Sequence, residues 1–293
     1  MPQTTTELLS LLDLEALEVN LFRGQSEDIG SPAVFGGQVL SQALVAAQRT
    51  IAEPRLVHSL HAYFILPGDK TKPIVYEVER IRDGGSFTTR RIVAVQHGRR
   101  IFNMAASFQK EEEGPDHQRP MPEVPAPDAL EDDIAQRRRV AHRIPESRRP
   151  RFLEERAFEI RPVTFHDPLS PAPGAPERAL WFRARPDATL PEDATVHRAL
   201  LAYASDYALL PTSLLPHGLS YLTPGVRMAS LDHALWFHRP FRVDDWLLYA
   251  MESPSASGAR GFNRGAFYDR EGRHVASVCQ EGLTRVKARS PTG

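Results

Sequence analysis

Apolar residues cluster along this chain with two different periods. Residues 200–210 are apolar almost all round, and a helix without a polar face is a buried helix. Residues 35–48 form a second largely apolar helical stretch, opened by two glycines. Other segments are rich in β-branched and aromatic residues and read as strands. These predicted strands are residues 56–65, 73–80, 86–96, 99–109, 230–237 and 274–282. The pattern predicts two units, each a buried helix followed by antiparallel strands.

An internal repeat supports the two units. Six residues between positions 64 and 91 of the first unit are identical to the residues 173 positions later in the second unit. Unrelated sequences would share roughly one or two residues over this length. The pairs are Phe64 and Phe237, Pro67 and Pro240, Tyr76 and Tyr249, Glu79 and Glu252, Gly85 and Gly258, and Arg91 and Arg264. A duplicated unit of this kind buries its helix on the concave face of its sheet. We expect the two sheets to pair edge to edge, which would cover exposed edges.

Proline divides the chain between the units. Residues 115–176 hold 12 of the 25 prolines, a density that breaks regular structure. We therefore predict an N-terminal domain over residues 1–112 and a Pro-rich connecting segment over 113–176. The segment is expected to carry a helix around residues 128–143. A C-terminal domain over 177–293 completes the chain and holds the candidate catalytic residues.

Composition narrows the class of protein. The 293 residues are 41% hydrophobic and 25% charged, as in a globular protein, and the net charge of −1 gives no field suited to nucleic acid. The single cysteine, Cys279, fits a reducing compartment. The sequence contains no run of 18 apolar residues, so we expect no stable membrane insertion. We expect a cytoplasmic protein. Exposed sheet edges in a duplicated unit favour a homo-oligomer, a dimer or a tetramer.

One carboxylate stands out in the buried helix. Asp206 is predicted to lie in its last turns, among apolar neighbours. A buried carboxylate costs several kcal/mol unless donors satisfy it, so other parts of the chain must reach it. Two interpretations stay open at this point: a structural aspartate tied to loop backbone, or a catalytic base.

Two further residues can be argued to converge on Asp206. Ser230 is predicted to open the strand 230–237, and Gln280 lies in the last strand. Together the three side chains offer the donors and acceptors that would hold one water molecule, whose proton the carboxylate would take. Taken singly, Ser230 and Gln280 are more typical of strand residues with local hydrogen bonds.

Other kinds of chemistry find less support. The chain has no Gly-x-Ser-x-Gly elbow, no P-loop and no Gly-x-Gly-x-x-Gly fingerprint. His233 and His238 lie five apart, which points them to opposite faces of a strand, so we expect no metal. No cofactor is expected either. One of His58 and His61 can face a site, although packing or surface exposure fits either one better. Cys279 fits a small buried hydrophobe better than a nucleophile.

Five sequence blocks resemble the acyl-CoA thioesterase II (TesB-type) family. The likeness extends from about Leu8 to Arg285. The blocks are RGQSED at 23–28, FGGQ at 35–38, YASD at 203–206, LDHALWFHRP at 231–240 and SGARG at 257–261. The resemblance implies a double hotdog fold of class α+β, in agreement with the repeat. It also implies hydrolysis of acyl-CoA to free fatty acid and CoA.

The family's catalytic residues fall here on Asp206, Ser230 and Gln280. Serine stands where some members have threonine; the hydroxyl is kept and the β-branch is lost. The resemblance implies attack by a water molecule without an acyl-enzyme. His58, Gly37 and Arg260 are candidates for substrate binding, Arg260 for the CoA phosphates. Two alternatives remain: an acyl-CoA-binding protein without catalysis, and an enoyl-CoA hydratase, which would need an acid/base pair near the thioester.

Overall fold

The first half of the chain builds one helix-wrapped sheet. The computed structural model describes residues 2–52 and 54–287. The elements of the first half are α1 (Thr5–Leu12), β1 (Glu15–Glu18), β2 (Leu21–Gly24), α2 (Gly36–Gln48), β3 (Leu56–Phe64), β4 (Ile74–Asp83), β5 (Phe87–Gln96) and β6 (Arg99–Gln109). The predicted helix and its four strands are confirmed within two or three residues at each end.

The connecting segment is more regular than its prolines indicate. It contains α3 (Asp133–Val140), as predicted, and also α4 (Arg149–Phe152), β7 (Phe158–Pro162) and three short 3-10 turns. The prediction gave this segment no strand. The strand β7 has only five residues, and an alternation of apolar and polar residues over so short a stretch does not predict a strand from the sequence. Because β7 pairs with a strand of the second half, part of the segment belongs to that sheet. The domain boundaries at residues 112 and 177 stay predictions.

The second half repeats the first. Its elements are β8 (Glu177–Ala184), α5 (Ala194–Ala204), a 3-10 helix (Leu210–His217), β9 (Val226–Ser230), β10 (Asp232–Phe237), β11 (Leu247–Ser257), β12 (Arg260–Tyr268) and β13 (His274–Val286). The strands of both halves join in one antiparallel sheet in the order β1-β2-β4-β5-β6-β3-β10-β13-β12-β11-β8-β7, with β9 added on β13. Residues 288–293, the end of the predicted second domain, lie outside the described residues.

The two halves of the sheet have equivalent strand orders when each is followed outwards from the centre, β3-β6-β5-β4-β2-β1 on one side and β10-β13-β12-β11-β8-β7 on the other. At the centre β3 pairs with β10, with Leu60 opposite Leu235, so the expected edge-to-edge pairing of the two sheets is confirmed. The repeat also survives in side chains: Glu79 lies opposite Arg91, and Glu252 lies opposite Arg264, in equivalent strand pairs. Both pairs make ion pairs, at 3.6 and 2.6 Å. The duplication inferred from the sequence is therefore visible in the register.

The two buried helices pack against each other inside the sheet. Ser41 Oγ of α2 donates to the carbonyl oxygen of Ala199 in α5 at 2.6 Å. Nearly all of α2 and the last six residues of α5 are buried. Each helix has the sheet on one side and the other helix next to it, which explains why neither sequence has a polar face. The helix ends that meet here position the candidate site.

Candidate active site

Asp206 lies just beyond α5 and not in its last turns. The helix ends at Ala204, and Ser205 caps it with its N–H bonded to the carbonyl of Leu201. The prediction extended the helix too far because the apolar run continues to Leu210. Ala208 adopts a left-handed φ of 61°, and Pro211 lacks the N–H that a continuing helix needs. The chain therefore turns at this point and aims the carboxylate back into the core.

Two donors hold the Asp206 carboxylate, whose side chain is 8% exposed. The Nε2 of Gln280 donates to Oδ1 at 2.7 Å, and the backbone N–H of Gly37 donates to Oδ2 at 3.0 Å. Burial raises the pKa of Asp206 to about 6, against the lowering effect of these two hydrogen bonds. A carboxylate with this pKa is ionised at neutral pH and is a stronger base than an exposed aspartate.

Gln280 and Ser230 reach Asp206 from neighbouring strands. The Nε2 of Gln280 lies 3.1 Å from Ser230 Oγ, and the register of β9 and β13 sets Ser230 opposite Gly282. Gln280 is fully buried. The structure therefore brings the three side chains together, and their catalytic roles stay a prediction. Ser230, however, ends β9 and does not open the next strand, because the ladder is interrupted at Leu231.

His233 belongs to the same cluster, which the sequence argument did not foresee. Its Nδ1 lies 3.1 Å from Gln280 Nε2, and its Nε2 lies 2.8 Å from Ser205 Oγ. Ser205 Oγ donates to the carbonyl of Ala202, so it accepts from the His233 ring and Nε2 carries the proton. Nδ1 is then an acceptor that shares the two amide hydrogens of Gln280 with Asp206 and Ser230. Burial lowers the pKa of His233 to about 3, so the ring is neutral. A signal for its position exists in the sequence, because His233 lies two residues before Leu235 and so shares its buried face of the strand.

Glycine at positions 36 and 37 lets α2 approach the end of α5. A Cβ on Gly37 would overlap the carbonyl oxygen of Tyr203, and a Cβ on Gly36 would come within 2.7 Å of Asp206 Oδ2. Any larger residue would push the two helices apart. The glycines thus bring the N-terminus of α2, with the Gly37 N–H and the positive dipole end, against the carboxylate.

A cavity of about 540 Å³ opens beside Asp206. Apolar side chains such as Phe35, Ile160 and Leu180 line it, together with Arg156 and Arg178. More than half of the lining residues come from the connecting segment, which here forms a wall of the cavity. Concave, mainly apolar sites with a few polar groups are typical of small-molecule binding.

Comparison with known proteins places the chain. Residues 147–283 match the family model described as acyl-CoA thioesterase, and residues 23–109 match the acyl-CoA thioesterase N-terminal domain. Acyl-CoA thioesterase 2 of Haemophilus influenzae is 40% identical over 97% of this chain and 99% of its own. This chain belongs to the acyl-CoA thioesterase family. The expected family and its enzyme class, an acyl-CoA thioester hydrolase, are confirmed.

Solved structures agree with the family and the fold. The acyl-CoA thioesterase II TesB2 of Mycobacterium marinum is 43% identical, has a TM-score of 0.77, and matches over 95% of this chain and 98% of its own. A hotdog-fold protein of unknown function from Alicyclobacillus acidocaldarius is 17% identical with a TM-score of 0.75, over 95% and 97% of the two chains. The α+β double hotdog predicted for this family member is confirmed.

The three candidate substrate contacts lie in different surroundings. Gly37 is in the site, but its N–H is bonded to Asp206. The Nε2 of His58 lies 2.8 Å from Ser107 Oγ, and its ring packs on Phe87, away from the three catalytic candidates. Arg260 is half exposed and ion-paired with Glu281 at 2.9 Å, so a phosphate would have to compete for it. Their contact with substrate stays a prediction.

Two further findings concern membrane-spanning helices and metal ligands. In residues 2–52 and 54–287, no helix is long and apolar enough to cross a membrane. The same residues contain no group of three or more His, Cys, Asp or Glu side chains placed to hold a metal ion. The cytoplasmic location and the homo-oligomer stay predictions.

Proposed function

We propose that this protein hydrolyses acyl-CoA to a free fatty acid and CoA through a water molecule activated by Asp206. The observation that carries the proposal is the buried cluster in which Gln280 joins Asp206 and Ser230, beside a mainly apolar cavity. The carboxylate would take a proton from the water as its oxygen attacks the thioester carbon. Ser230 and Gln280 would orient that water.

The energetics of the site suit this role. Burial raises the pKa of Asp206 towards the working pH, and this strengthens the base while leaving it ionised above pH 6. The neutral ring of His233 does not compete for the proton. The carbon–sulfur bond then breaks, CoA leaves as a thiolate, and the proton held by Asp206 is available to it. A thiolate is a good leaving group, so no strong general acid is required.

The N-terminus of α2 is the nearest source of stabilisation for the negative charge that develops on the carbonyl oxygen. Gly36 and Gly37 are the first two residues of the helix, and their N–H groups have no acceptor within it. We place the thioester oxygen at this end, opposite the water held by Ser230 and Gln280. Fixed backbone donors of this kind lower a barrier by several kcal/mol when correctly aimed.

Release of CoA is the direct test. A thiol reagent would follow CoA release from acetyl- to palmitoyl-CoA for the wild type, Asp206→Asn and Ser230→Ala. We expect release by the wild type and a loss of about a hundredfold or more in kcat for Asp206→Asn. An aspartate variant that keeps full activity would move the base elsewhere. Binding of acyl-CoA without release would indicate the silent binding protein, and water addition to an enoyl-CoA would indicate the hydratase.

A further inference from the structure

Three arginines and three aspartates, Asp206 among them, line the cavity. Two of its aspartates are already paired: Asp133 with Arg137 at 2.6 Å, and Asp167 with Arg143 at 2.6 Å. Arg137 is therefore compensated. Besides Asp206, the charges that remain in the cavity are those of two other arginines of its wall, Arg178 and Arg156.

Arg178 is the less satisfied of the two. Among the described residues no carboxylate lies within ion-pair distance of it, and its Nε is buried without a hydrogen-bond partner. Burial lowers the pKa of Arg178 to about 10, so the guanidinium is still charged at neutral pH. Arg178 is half-buried, and a partly buried cation without an anion costs free energy unless a ligand supplies one. His166, next to it, has a pKa lowered by burial and by Arg178, and is neutral.

Arg156 adds a second cation on the same cavity wall. Its guanidinium lies 5.3 Å from the centre of the Tyr207 ring, next in sequence to Asp206. A cation–π contact of this kind orients the guanidinium and leaves its N–H donors available at the edges. In the described part of the chain Arg156 also has no carboxylate partner.

The wall between Asp206 and Arg178 is apolar. Leu180 lies opposite Tyr249, whose hydroxyl donates to the carbonyl of Ser205 at 2.8 Å, so Leu180 is on the Asp206 side of the cavity. Arg178 lies two residues further along β8 on the same face, about 7 Å away. Pro162 of β7 flanks Leu180. A ligand that extends from Asp206 along β8 therefore meets apolar side chains first and a guanidinium afterwards.

We propose that this cavity receives the acyl group of the substrate and selects acyl-CoA thioesters whose acyl chain ends in a carboxylate, which Arg178 binds with help from Arg156. The apolar wall suits methylene groups, whereas the two amides of the pantetheine arm of CoA would lose their hydrogen bonds against Leu180 and Pro162. A planar guanidinium binds a carboxylate in a bidentate manner. The proposal rests on the thioesterase activity proposed above.

A pair of substrates of equal length tests the proposal. Octanedioyl-CoA and octanoyl-CoA differ only in the distal carboxylate, and kcat/KM would be measured for both with the wild type, Arg178→Met and Arg178→Lys. We expect Arg178→Met to lower kcat/KM for octanedioyl-CoA by about tenfold to a hundredfold and to change that for octanoyl-CoA less than about twofold. Arg178→Lys should keep part of the preference. Arg138→Met, which removes an exposed arginine outside the cavity, is the matched control.

Other outcomes would overturn the proposal. An equal loss with both CoA substrates, absent with the octanoyl thioester of N-acetylcysteamine, would assign Arg178 to a CoA phosphate. No effect of Arg178→Met on either substrate would leave the cation without a ligand. If the wild type releases no CoA at all, the proposed function fails. Calorimetric binding of free octanedioate against octanoate still tests the cavity in that case, and loss of octanedioate binding in Arg178→Met would support it.

Discussion

The two halves of the molecule share a backbone and differ at the positions that make the site. With the offset of 173 residues, His233 corresponds to Leu60 of the first half and Asn263 corresponds to Arg90. In the sheet Gln280 lies opposite Asn263, as Ala106 lies opposite Arg90. The second half thus has a histidine and a glutamine where the first half has a leucine and an alanine.

The helix ends differ in the same way. Thr50 follows the end of α2 by two residues, as Asp206 follows the end of α5. In the first half, buried Arg90 donates from Nε to Thr50 Oγ1 at 2.8 Å and pairs with Asp83 at 2.6 Å. In the second half, Gln280 donates to a carboxylate. The duplicated backbone therefore allows either a closed polar contact or a reactive one, and a few side chains decide which.

The largest expected effect comes from making the second half resemble the first. Gln280→Ala, which copies Ala106, removes the donor to Asp206 and the partner of Ser230. We expect kcat for acyl-CoA hydrolysis to fall by roughly a hundredfold or more, since the amide orients both base and water. Thermal unfolding should show that the fold is kept. Retention of more than a tenth of the activity would mean that this amide does not separate the halves functionally.

The variant Gly37→Ala tests the close contact between α2 and the end of α5. The added methyl group would overlap the carbonyl of Tyr203, so either α2 or the end of α5 must move and the Gly37 N–H would leave Asp206. We expect an activity loss of about tenfold or more and a stability loss of about 1–3 kcal/mol, as for overpacking. Gly114→Ala is the control, because a methyl group there meets open space. Equal behaviour of the two variants would show that the helix contact tolerates a shift.

The pKa of Asp206 should appear in both activity and stability. Because it is raised from 3.8 to about 6 in the folded protein, the rate should rise with pH and level off above about pH 6. The folded state holds this proton more tightly than the unfolded state, so the contribution to stability is full below about pH 4. It is lost as pH rises through 6, by about 3 kcal/mol.

Denaturant unfolding between pH 4 and 7 measures this loss. In Asp206→Asn the same pH range should show a flatter curve, because the titrating group is gone. The first half has Thr50 at the corresponding position, where nothing titrates. If the stability of the wild type depends on pH as little as that of the variant, the pKa of Asp206 is not raised in the folded protein.

The architecture could be predicted because the internal repeat and the period of the apolar residues can both be recognised in the sequence. The buried helices, the strand pairs and the joined sheet follow from apolar period and from the offset of 173. Asp206 and Gln280 were found because polar residues on apolar elements stand out. The exact end of α5 was missed, since a run of leucines and alanines does not show where Ala208 adopts a positive φ.

The connecting segment and the role of His233 were beyond such arguments. Prolines predicted an irregular segment, but a wall of the cavity depends on contacts between residues far apart in sequence. From the sequence, His233 was considered only as a metal ligand, and its spacing from His238 spoke against that role. Its real partners, Ser205 and Gln280, lie 28 and 47 residues away and meet it only through strand pairing.

The smallest expected effect concerns His233, whose Nδ1 lies 3.1 Å from the amide nitrogen of Gln280. His233→Leu copies Leu60 and removes the acceptor at Nδ1, so the amide loses one of its fixed contacts. His233→Asn should restore an acceptor at nearly the same place. We expect kcat to fall about tenfold in the leucine variant with KM little changed, and to recover partly in the asparagine variant. A positioning role predicts this order, because both variants remove the ring and only one removes the hydrogen bond. Equal losses in the two variants would assign the effect to packing, and the difference between the halves would then rest on Gln280 and Asp206 alone.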